Sequence, residues 1–319
     1  CAQLSQIDGW LTGLFKDGEA VVITALPLYH IFALTANCIT FFNYGARNVL
    51  ITNPRDMPAF IKDLKKNPFS LITGVNTLFN GLLNQPAFRE LDFSNLKISL
   101  GGGMAVQDAV ALKWQEVTGS PLLEAYGLSE TSPAATINPT DGSHRMGTIG
   151  LPIPNTELKI FDDDKKEVPM GERGEIGIKG PQVMAGYWNR PEATAECMHG
   201  DFFLTGDIGI MDEDGFFKIV DRKKEMVCVS GFNVYPSEVE AVISSHPKVL
   251  EVGVRSEPDP KTTECVMAFV VKKDESLTED EIRDFCREKL TNYKVPKIVV
   301  FRDELPKSNV GKILRRMLK

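Results

Sequence analysis

The stretch DRKKEMVCVSGFNVYP, residues 221–236, combines a charged turn, a short apolar run and a glycine-bearing loop. Upstream of it, the sequence alternates apolar strand patterns, helix patterns and glycine turns. Downstream, it forms a self-contained pattern that ends in a basic tail. Because the pattern of strands and helices differs on the two sides, we expect this stretch to connect two domains. We also expect a functional site across this joint.

The region before the joint predicts a parallel sheet. Residues 19–28, EAVVITALPL, form a continuous apolar and β-branched run, which is typical of a strand buried on both faces. Residues 31–42 are apolar almost all round and predict a buried helix packed on that strand. The alternation continues with strands at 48–51, 70–73 and 96–100 and helices at 57–66, 77–83 and 106–117. Strands that alternate with helices at this spacing imply βαβ crossovers.

From about Gly147 the sequence predicts a different architecture. The segments TELKIFDDD, GERGEIGIKG, GYWNRPEAT and DFFLTGD read as short strands between turn residues. Beyond the joint we expect a helix, two strands, a helix capped by Thr278 and Glu281, a further strand and a final basic helix. The predicted fold class is α/β, a doubly wound, mostly parallel sheet (1–146) with a small β-rich cap (147–220), hinged to a C-terminal α+β domain (221–319).

Composition narrows the function classes. Apolar residues at 43% and charged residues at 25% are typical of a soluble globular protein, and a net charge of −7 argues against a nucleic-acid partner. The six cysteines show no CxxC spacing, which favours reduced thiols in the cytoplasm and no metal cluster. No apolar run is long enough to span a membrane. The basic residues near the C-terminus predict a solvated helix face. The sequence opens on Cys1 rather than Met, which indicates a fragment.

Several turns at the expected ligand edge of the sheet carry candidate site residues. Gly101, Gly102 and Gly103 follow a strand and read either as a simple turn or as a place where a flat ring or phosphate approaches the backbone. They do not match GxGxxG, since position 106 is Val, and Gly311-Lys312 is not a P-loop. YGLSET, residues 126–131, offers an aromatic face, two hydroxyls and a carboxylate, and Glu130 could hold Mg²⁺.

Three further residues are ambiguous when read singly. Asp207, in LTGD, suits hydrogen bonds from two vicinal hydroxyls, although a turn aspartate is the simpler interpretation. His30 lies among apolar residues, where a histidine is more often part of the core than catalytic. Lys312 is presented by the loop SNVG, and a lysine near the end of a chain is usually only solvated.

Together and in this order, the motifs resemble the adenylate-forming enzymes, and specifically the bacterial long-chain fatty acyl-CoA synthetases. The resemblance covers nearly the whole sequence and rests on PLYHIFAL, the triple glycine, YGLSET, GDFFLTGDIGIMDEDGFFKIVDRKKEM, VSGFNVYPSEVE and YKVPK followed by ELPKSNVGKILRR. It implies a ligase that uses ATP, Mg²⁺ and coenzyme A. A fatty acid carboxylate would form acyl-AMP, and the CoA thiol would then displace AMP.

The resemblance also implies roles for particular residues. Those expected to bind nucleotide are Gly101, Gly102, Gly103, Tyr126, Gly127, Ser129, Thr131, Asp207 and Arg222, with Glu130 as the metal ligand. Lys312 would contact the carboxylate and α-phosphate oxygens, and His30 would lie near the acyl carboxylate. Asp221 would be the pivot of a domain rotation that removes Lys312 and brings Gly231 toward the thiol.

The main departure of the sequence from this family concerns the loop that binds the triphosphate, and other interpretations stay open. The family's glycine- and threonine-rich triphosphate loop has no counterpart in residues 1–30, so we expect weak binding of ATP phosphates and little activity. The alternatives are an enzyme that adenylates aryl or amino acids, and a non-catalytic module that binds nucleotide or acyl-adenylate. The resemblance leaves open a homodimer and a peripheral contact with the inner face of the membrane.

Overall fold

A seven-stranded sheet forms the centre of the larger of the chain's two units. The computed structural model describes all 319 residues. The large unit contains Cys1–Thr205, Ile210–Ile219 and Asn309–Gly311, and the small unit contains Gly206–Gly209, Val220–Ser308 and Lys312–Lys319. None of the helices is both long enough and apolar enough to cross a lipid bilayer.

The first part of the large unit alternates strands and helices as the sequence predicts. The elements are α1 (Ala2–Leu11), β1 (Val21–Thr24), a π-helical segment (Ala33–Ile39), α2 (Thr40–Asn43), β2 (Arg47–Leu50), α3 (Met57–Lys66), β3 (Leu71–Gly74), α4 (Asn76–Leu83), β4 (Ile98–Gly101), α5 (Asp108–Thr118) and β5 (Leu122–Gly127). Two antiparallel strands, β6 (Ala134–Ile137) and β7 (Leu151–Pro152), complete the sheet. The predicted α/β fold with a mostly parallel sheet is therefore confirmed.

The strand order places a crevice at a defined point of this sheet. The order is β2-β1-β3-β4-β5-β6-β7, and β1 to β5 run parallel. The chain moves outward from β1 to β2 and then returns to the other side of β1 with β3. At such a reversal the loops after neighbouring strands separate, and ligands bind beyond the carboxyl ends of the strands.

One detail of the predicted buried helix is wrong. Ala33, Thr35, Asn37 and Thr40 are buried, but Phe42 is 83% exposed. The sequence suggested burial all round because nearly every side chain there is apolar. The chain nevertheless presents one face of the helix to the sheet and leaves the other face uncovered.

The second sheet, most of which lies in the large unit, is antiparallel in its defined pairs. It contains β8 (Glu157–Phe161), β9 (Gly174–Lys179), β10 (Met198–His199), β11 (Phe202–Met211) and β12 (Phe217–Arg222) in the order β10-β11-β9-β8, with β12 beside β11. The strand predicted at GYWNRPEAT is wrong, since α6 (Pro191–Cys197) lies there instead. Proline fixes a helical φ and has no N–H to donate, so it fits the first turn of this helix.

The small unit is an α+β structure around a five-stranded sheet. Its elements are β13 (Val227–Val229), β14 (Phe232–Val234), α7 (Pro236–Ser244), β15 (Val249–Asp259), β16 (Thr263–Lys272), α8 (Glu279–Arg287) and β17 (Ile298–Arg302). Thr278 caps α8 by accepting a hydrogen bond from the backbone N–H of Glu281 at 3.2 Å. This unit buries its own apolar cluster, which includes Val239, Val254 and Ile282.

The final basic helix is a wrong prediction. The tail forms only a single 3₁₀ turn at Arg315–Met317. Before it, Lys307 and Ile313 form an antiparallel bridge, and Ser308 N–H donates to the Lys312 carbonyl oxygen at 2.8 Å. This tight reversal consumes the backbone groups that a continuous helix would use.

Trp114 is the largest fully buried side chain of the large unit, and it generates the first prediction. Its indole Nε1 donates to Ser99 Oγ at 2.9 Å, and its ring contacts Phe79 edge-on at 4.8 Å between centroids. Trp114→Ala should lower the free energy of unfolding by about 3–5 kcal/mol, because it removes this packing and leaves a cavity. Leu112→Ala, on the exposed side of the same helix, should change it by less than about 0.5 kcal/mol. Urea unfolding monitored by circular dichroism compares the two, and equal losses would contradict the assignment.

Candidate active site

Three turns meet at the carboxyl edge of the parallel sheet. His30 follows β1, the triple glycine follows β4, and Tyr126 lies at the end of β5. A Cβ placed on Gly102 would stand 3.1 Å from Phe32 Cε1 and 3.2 Å from the carbonyl oxygen of Ala125. The glycine turn is therefore in contact with the segment after His30 and with the residue before Tyr126.

Gly127 permits the close approach of β5 and β6. A Cβ at this position would lie 1.7 Å from the carbonyl oxygen of Pro133, which no side chain could tolerate without a shift of the backbone. Gly127 pairs with Ala134 across the two strands. The turn between them contains residues 128–133, and Gly127 thus fixes where this turn projects.

The polar residues of that turn have different surroundings. Thr131 is fully buried, and its hydroxyl accepts a hydrogen bond from Leu128 N–H at 2.9 Å and contacts the carbonyl oxygen of Pro133. Its observed contacts stabilise the turn itself, and its place on the phosphate side stays a prediction. Ser129 is exposed and Glu130 is partly buried, so both present side chains outward.

Tyr187 contacts Glu130, and sequence analysis missed it. The phenol donates to Glu130 Oε1 at 2.8 Å, and Met184 N–H donates to the Glu130 carbonyl oxygen at 2.8 Å. Burial, followed by the hydrogen bond to Glu130, raises the pKa of Tyr187 to about 12, so the phenol keeps its proton at neutral pH. Tyr187 lies in the stretch predicted as a strand, where no motif marks it.

The surroundings of Glu130 fit a magnesium ion that is held mainly by water and substrate. Tyr187 occupies one carboxylate oxygen and leaves Oε2 available. No group of three or more His, Cys, Asp and Glu side chains comes together elsewhere to form a metal site. A single carboxylate suits Mg²⁺, which is usually bound through one or two carboxylates and substrate phosphates.

Glu124 is a second residue that sequence analysis missed. Its side chain is buried, and its Oε2 accepts a hydrogen bond from Val106 N–H, just after the triple glycine, at 2.9 Å. Burial is the main reason why the pKa of the carboxyl is raised to about 7, and the negative charge of Asp108 also raises it. The hydrogen bonds from Val106 and Gly147 act in the opposite direction. Glu124 therefore connects the segment that follows the glycine turn to β5.

His30 is not part of the core. It is partly exposed at the start of the helical segment, and its Nδ1 accepts a hydrogen bond from Phe32 N–H at 3.3 Å. Beneath this segment the buried Asn37 side chain donates to Thr24 Oγ1 at 3.0 Å and accepts from Thr73 Oγ1 at 3.0 Å. The helical segment that follows His30 is thus hydrogen-bonded to the first and third strands of the sheet.

The small unit contains a second group of candidate residues. Asp207 is buried, and Arg222 Nε lies 3.0 Å from its Oδ1. The ammonium of Lys312 has no ion pair or side-chain hydrogen bond. Desolvation lowers the pKa of Lys312, and the positive charge of Arg222 lowers it further. The carboxylates of Asp207 and Glu225 act in the opposite direction and raise it. Because Lys312 keeps exposed surface, water screens part of these effects.

Asp221 is buried and fully engaged. Its Oδ1 accepts from Arg222 N–H at 2.7 Å and its Oδ2 from Ser237 N–H at 2.6 Å, at the start of α7. Arg315 Nη1 also lies 2.8 Å from Oδ1. The expectation that Arg315 belongs to a solvated helix face is wrong, since only 16% of its side chain is exposed.

Gly231 lies in the turn between β13 and β14. Ser230 and Gly231 both have positive φ, 51° and 85°, and form a two-residue hairpin connection of the type that favours glycine. Both residues are exposed. The turn can therefore present backbone groups to a ligand without a side chain in the way.

Comparisons with known proteins identify the family of this chain. Residues 1–188 match the family described as AMP-binding enzyme, and residues 238–312 match the AMP-binding enzyme C-terminal domain. A long-chain-fatty-acid–CoA ligase of Escherichia coli O6:H1 is 57% identical over 318 residues, which are 100% of this chain and 57% of that protein. The chain thus spans little more than half the length of this relative.

Solved structures agree with the fold of both units. ATP-bound MatB from Rhodopseudomonas palustris has a TM-score of 0.89 at 33% identity, over 98% of this chain and 61% of that one. The anthranilate CoA ligase AuaEII in complex with anthranoyl-AMP has a TM-score of 0.90 at 28% identity, over 98% and 61%.

Because the family model covers more than half of the sequence, the chain belongs to the AMP-binding enzyme family.

The ionisation of Glu124 generates the second prediction. Its folded pKa of about 7 lies above the ordinary value of 4.5, so its stabilising contribution is complete below about pH 4.5 and is lost as the pH rises through 7. The large unit should therefore be less stable at pH 8 than at pH 6, and Glu124→Gln should flatten this dependence. All three tryptophans lie in the large unit, so fluorescence-monitored urea unfolding at the two pH values measures it. An unchanged slope in the variant would contradict the prediction.

Proposed function

We propose that this chain forms the nucleotide- and acyl-adenylate-binding part of a long-chain fatty acid–CoA ligase. The observation that carries the proposal is the unpaired ammonium of Lys312 in the small unit that also contains the buried Asp207–Arg222 pair. A buried carboxylate suits vicinal ribose hydroxyls, and a desolvated ammonium suits an anion. The ligase relative at 57% identity supports the choice of a fatty acid as substrate.

The reaction would have two steps. A fatty acid carboxylate oxygen attacks the α-phosphorus of ATP, forms a new O–P bond and releases pyrophosphate. The thiol of coenzyme A then loses its proton and attacks the acyl carbon, forming the thioester as AMP leaves with the electron pair of the broken C–O bond. Mg²⁺, when bound, would neutralise phosphate charge, and Glu130 would hold it with its orientation set by Tyr187.

The chain's own residues would bind and orient the reactants. In this proposal the glycine turn at 101–103 and Tyr126 flank adenine, while Ser129 and Thr131 lie on the phosphate side with Gly127 setting the turn. Asp207 and Arg222 bind the ribose, and Lys312 contacts the carboxylate and α-phosphate oxygens during adenylation. His30 lies near the acyl carboxylate.

The domain division and the rotation belong to the same proposal. We divide the chain into 1–146, 147–220 and 221–319, with Asp221 as the pivot and Gly231 in the loop that approaches the thiol. The hairpin turn at Ser230-Gly231, which has no bulky side chain, supports the last assignment. A location in the cytoplasm, peripheral contact with the inner face of the membrane and a homodimer are expectations from the resemblance and the apolar substrate.

The role of Lys312 generates the third prediction. In a chimera, this chain replaces the matching 318 residues of the Escherichia coli relative, so that the remaining length of that protein is present. Lys312→Ala should lower the rate of pyrophosphate release at least tenfold, which is about 1.4 kcal/mol of barrier. Lys319→Ala, at an exposed lysine of the same tail, is the matched control. A loss of less than about twofold, or under roughly 0.5 kcal/mol, would remove Lys312 from the mechanism.

Binding measurements distinguish the ligase from a non-catalytic module and give the fourth prediction. In calorimetry with the chain itself, a stable analogue of a long-chain acyl-AMP should bind more tightly than AMP, because its acyl group makes contacts that AMP cannot make. Equal affinities would favour the module that only holds nucleotide. An anthranoyl-AMP analogue tests the aryl alternative raised by the AuaEII fold, and tighter binding of this analogue would overturn the fatty acid assignment.

A further inference from the structure

Arg315 lies in a cluster of carboxylates that the proposed chemistry does not use. Its Nη2 is 2.6 Å from Glu240 Oε2, its Nη1 is 2.8 Å from Asp221 Oδ1, and Nη1 also pairs with Glu225. A further hydrogen bond joins Nη2 to Ser237 Oγ at 2.8 Å. All these residues belong to the small unit. One guanidinium therefore faces three carboxylates and donates to each of them.

The charges of this cluster bear directly on Lys312. Arg315 follows Lys312 by three residues on the same tail. The groups that face the Lys312 ammonium are Arg222 and Arg315, which are positive, and Asp207 and Glu225, which are negative. Burial disfavours charge on Arg315, but Glu240 and Asp221 outweigh it and raise its pKa, so Arg315 stays a cation. Without Arg315, the carboxylate of Glu225 would lose its cationic partner and would still act on the ammonium of Lys312.

We propose that Arg315 is a positioning residue that occupies the carboxylates of Asp221, Glu225 and Glu240 and so keeps the ammonium of Lys312 free for an anionic ligand. The inference rests on the proposed function, because it assigns Lys312 an anionic partner. The planar guanidinium suits this task, since it donates in several fixed directions at once, whereas an ammonium is a point charge. Arg315 also holds the carboxylate of Asp221 against Arg222 and α7, so the pivot and the tail that carries Lys312 are fixed by the same side chain.

The test compares Arg315→Met with Arg316→Met in the chimera with the Escherichia coli relative. Arg316 is the exposed neighbour and has no ion pair. Arg315→Met should lower pyrophosphate release at least tenfold, and Arg316→Met should change it less than twofold. Replacing Glu225 by Gln in the Arg315→Met background should restore at least threefold, because it removes an exposed carboxylate that would otherwise attract Lys312. Equal effects of Arg315→Met and Arg316→Met would overturn the proposal, and so would a failure of the Glu225 change to restore activity.

A second readout does not depend on activity. In the chain itself, ¹³C-methylation of the lysines allows the pKa of Lys312 to be followed by NMR, with Lys312→Arg assigning its signal. Arg315→Met should raise this pKa relative to the wild-type chain, since it removes a neighbouring cation, while Arg316→Met should leave it unchanged. Where Arg315→Met does not fold, Arg315→Lys serves, with a threefold or larger loss of pyrophosphate release because an ammonium cannot hold all three carboxylates.

The two readouts separate failure of the inference from failure of the proposed function. If the wild-type chimera releases no pyrophosphate while the Lys312 pKa rises in Arg315→Met, the ligase assignment fails and the arrangement of charges stands. If the chimera is active and the Lys312 pKa does not move, the role of Arg315 is overturned. A lower melting temperature with an unmoved pKa would identify Arg315 as merely structural, which also overturns the proposal.

Discussion

The parallel pairing of β1, β3, β4 and β5 is the constraint on which the large unit depends. Parallel neighbours need a crossover, so every one of these strands ends at the same edge of the sheet. The turns that carry His30, the triple glycine and Tyr126 are distant in sequence and meet only because of this geometry. Both faces of the strands are covered, which is why β3 and β4 are buried at every position. The apolar strands that specify the parallel sheet therefore also determine where the polar turns after them come together.

Polar groups buried beneath that edge connect the sheet to the turns. Asn37, in the π-helical segment, binds Thr24 and Thr73, and Asn48 Nδ2 donates to its carbonyl oxygen at 3.0 Å. Glu124, within β5, accepts a hydrogen bond from the backbone N–H of Val106, three residues beyond the glycine turn. Each connection satisfies donors that burial would otherwise leave unpaired, at a cost of about 1–3 kcal/mol per group. These bonds define the position of the site more sharply than apolar packing would, since they work only at one distance and direction.

The sequence predicted most of the sheet because its signals are local. Continuous apolar runs bounded by glycine and proline marked β1, β3 and β4, and the helix at Met57–Lys66 has the predicted bounds. The wrong prediction of a basic helix at the end of the chain has a different cause, which is competition from contacts that sequence spacing does not reveal. The basic tail could have formed a helix, but Arg315 pairs with residues 75 to 94 positions away.

The residues of the candidate site could also be predicted only in part. Motifs identified the glycines, Tyr126, Glu130 and Lys312 because those residues occur in recognisable short patterns. Glu124 and Tyr187 carry no such pattern, since their importance comes from what they touch: the backbone after the triple glycine and the carboxylate of Glu130. An acid two residues before Tyr126, within an apolar strand, was the one available signal. Charged groups are rarely buried without a partner, so a glutamate inside a strand that the sequence predicts as buried could have drawn attention.

The buried charges around Arg315 are difficult to explain by stability alone. Removing ions from water costs several kcal/mol each, and well-packed apolar residues of similar volume often stabilise a protein as well or better. Here one cation faces Asp221, Glu225 and Glu240, which leaves the cluster with excess negative charge. Such an excess attracts other cations, and Lys312, three residues from Arg315 on the same tail, is one of those that these charges affect. An arrangement that served only to hold the tail would work better with fewer carboxylates or with none. The cluster instead balances the attraction between these acids and Lys312, and this balance depends on the guanidinium of Arg315.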